Sequence, residues 1–314
     1  MIHLADLKCE RRLNKLPEGI ILKGVGGFYY VKTSNGIYEC KARGIFRKKE
    51  ITPLPGDKVI IGSISEQYMS GNIEEILERQ SILVRPAVAN VDKIVLTLAS
   101  KSPEPDMMLL DKILITALTK NIDVLICVNK LDIDEANFNK ISECYTNAGF
   151  TVIGVRKDIP ESYNRLIEQI GSHINVFAGQ SGVGKSTLMN KILNSEVMET
   201  GSVSSKIERG KHTTRHAQLL PLSTGGYIVD TPGFSSFELE GIDEMKLMDY
   251  YPDFQRHLGG CRFDDCIHVN EPDCAVKNAV DNGEICRDRY ERYVKLYLEL
   301  KEKNNIYKGK NKNK

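Results

Sequence analysis

A glycine-rich octapeptide, GQSGVGKS at residues 179–186, constrains the fold of this chain more than any other segment. The apolar run INVFAG leads directly into it, and the helix-forming run LMNKIL follows it closely. The pattern G-x-x-x-x-G-K-S between a strand and a helix is typical of a loop whose backbone N–H groups face phosphates. The alternative is a glycine-rich turn that only caps a helix. Because pattern and context agree, we expect a phosphate-binding loop at the edge of an α/β sheet.

Strands and helices alternate through the middle of the chain. Buried strands are predicted at 94–99, 124–129, 151–156, 174–179 and 226–230, and helices at 107–120, 135–148 and 161–171. Such alternation implies βαβ units and a mostly parallel sheet covered by helices.

The first part of the chain has a different sequence pattern, without the alternation of strands and helices. Between Leu16 and Arg85, short β-rich runs such as GGFYYVKT and DKVIIGSI are separated by glycine-containing turns. This spacing favours a barrel of about five strands, with an OB-fold expected and an SH3-like barrel as the alternative. One connecting segment, KARGIFRKKE, mixes cations with an aromatic ring and suits RNA backbone and base contacts. Its candidate contact residues are Lys41, Arg43, Arg47, Lys48 and Lys49, although a solvated basic hairpin would have the same composition.

Within the phosphate-binding loop, each residue type has a chemical role. Lys185 is expected to bridge the β- and γ-phosphates of a nucleotide, and the Ser186 hydroxyl to bind Mg²⁺. The predicted nucleotide contacts in this segment are Gly179, Gln180, Ser181, Gly182, Val183, Gly184, Lys185, Ser186 and Thr187.

The base is expected to be read by NKLD at 129–132, which follows an apolar strand. A carboxylate there can accept two hydrogen bonds from guanine, whereas adenine lacks that pair of donors. Asp132 is therefore the predicted specificity residue, with Asn129 and Lys130 shaping the base pocket. Four residues alone are a weak motif, but together with the phosphate-binding loop they indicate GTP.

A third element, DTPG at 230–233, also follows a predicted strand. Asp230 is placed to hold Mg²⁺ through water, and the Gly233 amide can reach the γ-phosphate. A simple Pro-Gly turn is the alternative. The polar stretch SVSSKIERGKHTTRHAQ before it predicts a switch segment in which Thr213 or Thr214 completes the Mg²⁺ shell.

The order of these elements is unusual, since NKLD precedes the phosphate-binding loop and ordinary small GTPases have the reverse order. We therefore predict a circularly permuted GTPase domain. Phe234 follows DTPG, where Ras has a glutamine that orients water. His212 in the switch segment is the candidate catalytic replacement, although a histidine in a polar loop can equally be solvated. Turnover without a partner is expected to be slow.

Three cysteines and a histidine lie close together after residue 260. Cys261, Cys266, His268 and Cys274 offer three thiolates and one imidazole, enough to close a tetrahedral structural zinc site. The alternative is an accidental cluster of reduced cysteines. Because no position would stay open for water, the predicted zinc ion is structural, and Cys286 is expected to be a bystander.

Length and composition set the outer limits. With 314 residues, 41% of them hydrophobic and 27% charged, the chain is expected to fold into several domains. The N-terminus has no leader-like apolar run, and no apolar stretch is long enough for a membrane span, so we expect a cytoplasmic protein without a membrane partner. The predicted segments are a barrel at 1–85, a GTPase domain at 86–240, a helical zinc module at 241–303 and an unstructured lysine-rich tail at 304–314.

In this order, barrel, permuted GTPase domain and cysteine-rich module resemble the ribosome small subunit-dependent GTPase A family of bacteria. The resemblance covers nearly the whole chain and rests on GGFYYV, CKARG, RPAVANVD, NKLD, GQSGVGKSTL, GKHTTR, DTPG and the Cys261/Cys266/His268/Cys274 set. The chain departs from the family at Arg215, where a third threonine is common, and at 155–157, where a small-residue guanine-contacting loop is usual.

This resemblance implies a GTPase that binds the small (30S) ribosomal subunit late in its maturation, contacts rRNA and leaves after GTP hydrolysis. It also implies that His212 contributes to hydrolysis. The expected partners are the subunit, its rRNA and GTP or GDP, and the protein is expected to be a monomer. The alternative function is an RNA-binding or scaffold protein whose nucleotide site has little turnover.

Overall fold

The computed structural model describes residues 16–200, 217–230, 239 and 241–311. Contacts group the described residues into two compact units: 16–93 with 170–177, 189–200 and 217–230, and 94–169 with 178–188, 239 and 241–311. No helix within the described ranges combines the length and apolarity needed to cross a bilayer.

The first element is a closed five-stranded barrel. Its strands are β1 (Glu18–Val25), β2 (Phe28–Thr33), β3 (Gly36–Ala42), β4 (Lys58–Ser65) and β5 (Ser70–Ile76). They close in the order β1-β2-β3-β5-β4, with β3 and β5 parallel and the other pairs antiparallel. Apolar residues that alternate along the strands fill the interior, among them Ile21, Val31, Ile61 and Ile73, which have no exposed surface. The expected OB-fold is confirmed, and the SH3-like alternative is not needed.

The basic segment between β3 and β4 differs from the hairpin that we considered. Gly44–Lys48 forms a short helix, α1, and Phe46 at its centre is buried in the barrel core. Burial of the Phe46 ring stabilises this short helix. Arg47 and Lys48 therefore lie in the helix, and Lys49 is its C-cap.

Beyond the barrel, a two-stranded hairpin of β6 (Ile82–Leu83) and β7 (Val88–Ala89) precedes the α/β domain. Asn90, in the segment RPAVANVD, connects this hairpin to the barrel. Its side-chain amide donates to the Gly56 carbonyl at 2.9 Å, and its side-chain oxygen accepts from the Gln80 backbone N–H at 2.9 Å. Gly56 has a positive φ of 89°, and a Cβ there would collide with the Ala89 carbonyl. Asn90 and Ala89 of this segment therefore pack against the Gly56 turn.

The α/β domain contains one six-stranded sheet with the order β10-β9-β8-β11-β13-β12. Its strands are β8 (Lys93–Ala99), β9 (Asp123–Asn129), β10 (Thr151–Gly154), β11 (Ile174–Ala178), β12 (Gln218–Pro221) and β13 (Tyr227–Asp230). The helices are α2 (Met107–Leu118), α3 (Glu135–Asn147), α4 (Glu161–Ile170) and α5 (Lys185–Thr200). All the strands and helices predicted here are present. Strand β12, which pairs antiparallel with β13, was not predicted because only four residues form it.

The C-terminal module consists of a 3₁₀ helix (Glu244–Tyr250) followed by α6 (Pro252–Gln255), α7 (Ala275–Asp281) and α8 (Arg287–Asn311). Its core is aromatic, with Tyr251, Phe254 and Tyr293 in mutual contact at centroid distances of 4.9 Å. Two differences from the sequence predictions occur in this module.

The predicted unstructured tail is wrong for residues 304–311, because α8 continues to Asn311. No proline interrupts this stretch, and the Asn304 amide donates to the Ile242 carbonyl at 3.2 Å and to the Glu244 carboxylate. These bonds fasten the beginning of the predicted tail to the 3₁₀ helix and its preceding turn.

Cys286 is not a bystander, since it forms a disulfide with Cys144 of α3. The two Cα atoms are 5.3 Å apart although 142 residues separate them in the chain. Neither spacing nor composition could predict a pairing over that distance.

Candidate nucleotide site and metal centre

The phosphate-binding loop begins where β11 ends and closes where α5 begins. Gly179 and Gly184 have positive φ angles of 135° and 97°. A Cβ at Gly179 would overlap the Thr97 carbonyl, and one at Gly184 would overlap the Asn129 side-chain nitrogen. These two glycines are therefore required both by conformation and by space.

Lys185 folds back over this loop. Its Nζ donates to the carbonyls of Gly179 and Gln180, each at 2.7 Å. Burial lowers the pKa of this half-buried ammonium. Because α5 starts at Lys185, the backbone N–H groups of its first turn have no partners within the helix and suit an anion. Ser186 lies in that first turn.

Two residues of NKLD bond directly to the phosphate-binding loop. Asn129, at the end of β9, donates from Nδ2 to the Val183 carbonyl at 2.9 Å. Lys130 donates from Nζ to the Gly182 carbonyl at 2.9 Å and to the Ser102 carbonyl at 2.5 Å. The predicted base-reading and phosphate-reading segments thus form one hydrogen-bonded cluster.

Asp132 lies beside the segment that follows β10. The nearest cation is Lys157, whose Nζ is 3.9 Å from the Asp132 carboxylate and whose side chain is 81% exposed. Arg156 forms a two-bond ion pair with Asp158, and its backbone N–H donates to Ser162 Oγ at 3.1 Å. The structure therefore brings residues 155–157 next to the predicted guanine-reading carboxylate.

The loop between β8 and α2 also belongs to the cluster, and sequence analysis missed it. Ser102 receives the Lys130 bond, and the Asp106 backbone N–H donates to Gln180 Oε1 at 3.3 Å. The Asp106 side chain simultaneously caps α2 by accepting from the Leu109 N–H at 2.9 Å. Its signal in the sequence was the Pro-x-Pro-Asp segment directly before a helix.

Asp230 ends β13, as predicted, and its backbone pairs with Gln218 of β12. The other residues expected at the γ-phosphate and in the switch segment lie outside the described residues. They are His212, Thr213, Thr214, Arg215, Gly233 and Phe234.

The predicted RNA-contact residues lie on the exposed side of the barrel. Lys41 Nζ lies 5.1 Å from the centre of the Phe28 ring, a cation–π contact that leaves the ammonium near solvent. Arg43 forms a 2.6 Å ion pair with Glu74 and is half-exposed. Arg47, Lys48 and Lys49 continue this basic surface along α1.

The cysteine–histidine cluster is assembled as a metal centre. The donor atoms of Cys261, Cys266, His268 and Cys274 all lie within 4.8 Å of one another. The His268 Nδ1 atom is 3.6 Å, 3.3 Å and 3.3 Å from the sulfurs of Cys261, Cys266 and Cys274 respectively. Such spacings suit four ligands about one tetrahedral ion with metal–donor bonds of roughly 2.0–2.3 Å. The expected metal-binding cluster is confirmed as a Cys₃His site.

Neighbouring groups hold the backbone of this cluster. Tyr290 and Tyr293 donate their hydroxyls to the carbonyls of His268 and Ile267, at 2.9 Å and 2.6 Å. The Glu271 carboxylate accepts from the N–H groups of Ile267, Val269 and Asn270, which outweigh its burial and lower its pKa. These contacts fix the loop in the shape that points its donors inward.

Comparison with known proteins decides the family. A sequence model of the RsgA GTPase domain matches residues 76–240, and one of the RsgA N-terminal domain matches residues 18–69. The chain belongs to the RsgA GTPase family. A relative from Ruminiclostridium cellulolyticum, named small ribosomal subunit biogenesis GTPase RsgA, is 56% identical over 93% of this chain and 96% of its own length. Another RsgA, from Clostridium novyi, is 46% identical over 94% of this chain and 99% of its own length.

Two solved structures have a similar fold. The crystal structure of YloQ, a circularly permuted GTPase, is 36% identical, covers 92% of this chain and 96% of its own, and superposes with a TM-score of 0.76. YjeQ from Thermotoga maritima is 34% identical, covers 90% and 98%, and has a TM-score of 0.78. The resemblance inferred from the motifs, the permuted order and the fold class are therefore confirmed.

Proposed function

We propose that this chain hydrolyses GTP to GDP and phosphate in the maturation of the small (30S) ribosomal subunit, which it binds through rRNA and leaves after hydrolysis. The observation that carries the proposal is the bonding of Asn129 and Lys130 to the phosphate-binding loop. Because these bonds hold the predicted base-binding segment beside the phosphate-binding loop, both segments can contact the same nucleotide. The partner follows from the relatives, which are named as small ribosomal subunit biogenesis GTPases.

Different residues are proposed to bind the phosphates, hold Mg²⁺ and assist hydrolysis. Gly179 and the loop after it present backbone N–H groups to the phosphates, and Lys185 exchanges its two carbonyl acceptors for phosphate oxygens. Ser186 and Asp230, with Thr213 or Thr214, would hold Mg²⁺, which neutralises phosphate charge when bound. His212 is the proposed catalytic group because Phe234 cannot orient water. The RNA-binding or scaffold alternative is not favoured, because the relatives are named GTPases.

Asp132 provides a test of the substrate. If its carboxylate accepts two N–H groups of guanine, Asp132→Asn weakens GTP binding and favours xanthosine triphosphate, whose ring carries an oxygen in place of the guanine amine. Loss of one such charge-assisted pair is expected to lower GTP affinity at least roughly tenfold. Competition binding with GTP, ATP and xanthosine triphosphate measures the change. Unchanged preference in the variant would remove Asp132 from the base pocket.

We assign zinc to the Cys₃His site, as the ion that three sulfurs and one imidazole in tetrahedral spacing favour. Elemental analysis is expected to find one zinc per chain, and Cys266→Ala is expected to lose it together with the fold of the C-terminal module. Cys40→Ala, which removes a buried thiol in the barrel, is the matched control and should retain zinc. A folded wild-type protein without metal would contradict the assignment.

The remaining parts of the proposal concern location and organisation. We also propose a cytoplasmic location, since the proposed partner is a ribosomal subunit, and a monomeric protein. The basic surface formed by Lys41, Arg43 and α1 is proposed to contact rRNA phosphates, which predicts weaker binding at higher salt. The boundaries near residues 85 and 240 stay predictions.

A further inference from the structure

The disulfide between Cys144 and Cys286 joins two parts of the chain with different tasks. Cys144 lies in α3, which follows the base-reading segment, and Cys286 directly precedes α8 of the C-terminal module. Both residues are only half-buried. By contrast, the free thiols of Cys40 and Cys127 are completely buried. Since both bonded cysteines also line a cavity, a small reagent can approach them through it.

Both cysteines line a cavity of about 470 Å³, within the size range of small-molecule sites. Its walls carry the cations Lys140 and Arg292 and the carboxylates Glu104, Glu143 and Asp288, and Met107, Pro105 and Ile141 supply apolar surface. Because Arg292 is paired with Asp111, the three carboxylates outnumber the one remaining cation, Lys140. This excess of negative charge repels a strongly anionic disulfide and favours a zwitterionic one that carries ammonium groups.

We propose that Cys144 and Cys286 form a reversible thiol–disulfide exchange site for a small zwitterionic disulfide such as cystine, and that the bond fastens α3 to the C-terminal module. In the cytoplasm, bonds of this kind are commonly transient and redox-sensing. Only this statement about location rests on the proposed function. The exchange chemistry itself requires no nucleotide.

The reaction proceeds in two balanced steps. One protein thiolate attacks a sulfur of cystine, which breaks the cystine S–S bond, forms a mixed disulfide and releases one cysteine. The second protein thiolate then attacks the protein-side sulfur of that mixed disulfide and releases the other cysteine. Two protein thiols are oxidised, one cystine is reduced to two cysteines, and the two thiol protons end on the released cysteines.

The bond adds to a contact that the ion pairs already make. Arg289 and Arg292, in the first turns of α8, pair with Asp111 of α2 at 2.7 Å and 2.5 Å. Cys286 therefore lies beside the first turns of α8, which these ion pairs already hold against α2. Reduction leaves the ion pairs in place, so the expected difference is a looser C-terminal module that remains folded.

The test uses the full-length, metal-loaded protein, first reduced with excess cysteine and then exposed to a series of cystine-to-cysteine ratios. Free thiols are blocked by alkylation, and peptides are identified by mass spectrometry. We expect the Cys144–Cys286 cross-link in most wild-type chains and in none of the Cys144→Ser or Cys286→Ser chains. Cys40 and Cys127 are internal controls that stay reduced.

A melting experiment on the same samples gives a second readout. Because the cross-link closes a long loop, oxidised wild type should melt roughly 5–15 °C higher than reduced wild type, with no such shift in either serine variant. Equal melting of the reduced variants and reduced wild type shows that the variants fold. Oxidised glutathione, which is more anionic, should react more slowly than cystine.

The proposal is overturned if reduced wild type stays uncross-linked in cystine or stops at a mixed disulfide. Cross-links among Cys261, Cys266 and Cys274 with loss of metal would also overturn it. Because no nucleotide is present, none of these outcomes bears on the GTPase function.

Discussion

Lys185→Ala is expected to abolish GTP turnover, with a fall in phosphate release of at least roughly 10²–10³-fold. The Lys185 ammonium already lies within 2.7 Å of two loop carbonyls, where nucleotide phosphates offer stronger, charged acceptors. Its half-buried position strengthens each interaction with developing negative charge. Alanine lacks the positive charge that would stabilise both the bound nucleotide and the transition state, so nucleotide affinity should fall together with the rate.

Lys191→Ala is the matched control, since Lys191 lies on the same helix with an exposed side chain. This variant should bind and hydrolyse GTP nearly as wild type does. Phosphate release is measured at saturating GTP, and nucleotide affinity is measured separately by titration with GTP. Turnover by Lys185→Ala at the wild-type rate would place hydrolysis somewhere other than this loop.

Asp111→Ala is expected to destabilise the protein by about 3–5 kcal/mol. The Asp111 carboxylate is completely buried and accepts from Arg289 at 2.7 Å, Arg292 at 2.5 Å and the Tyr145 hydroxyl at 2.8 Å. Burial works against the charge of Arg289, but Asp111 and Asp253 outweigh it and raise the pKa of the guanidinium. Without Asp111, the buried guanidinium of Arg289 and the nearly buried one of Arg292 lose their shared carboxylate. Asp253, 3.2 Å from Arg289, compensates only part of the charge of Arg289.

Asp281→Ala is the control for this prediction. Asp281 also pairs with an arginine of the C-terminal module, Arg287, at 2.8 Å, but its side chain is 69% exposed. Exposed pairs of this kind contribute about 0–1 kcal/mol. Denaturant unfolding of both variants gives the comparison. An equal decrease in the free energy of unfolding for the two variants would show that burial of the Asp111 ion pairs does not add to stability.

The conformation of the phosphate-binding loop could be predicted because the residues that determine it are contiguous in sequence. A loop of eight residues, GQSGVGKS, determines its own backbone shape through Gly179 and Gly184, and NKLD follows a strand that apolar residues reveal. The contact between these two segments could be expected from sheet geometry, since both follow strand ends. The loop containing Ser102 and Asp106 was missed, because its Pro-x-Pro-Asp segment signals only the start of α2 and its contacts with the site use backbone carbonyl and N–H groups.

Features that depend on distant partners escaped prediction. Asp111 and Arg289 are 178 residues apart, and a charged residue in an amphipathic helix suggests a solvated face. The pairing of Cys144 with Cys286 was missed for the same reason, although the Cys₃His cluster, with all its ligands within fourteen residues, was found. Helix α1 was missed because one buried ring, Phe46, outweighs a basic, hairpin-like composition.

Multiple-turnover phosphate release from GTP, with and without purified small ribosomal subunits, tests the central claim most directly. In the proposed mechanism Lys185 and Ser186 bind the nucleotide, but Phe234 follows DTPG where Ras has the glutamine that orients water, so turnover of the chain alone should be slow. Supplying or ordering a missing group in trans can raise GTPase rates by roughly 10³–10⁵-fold, and we expect stimulation in that range at low salt and less at raised salt. His212→Ala should spare GTP binding and reduce mainly the stimulated rate. Equally fast turnover in the absence of subunits would contradict the account.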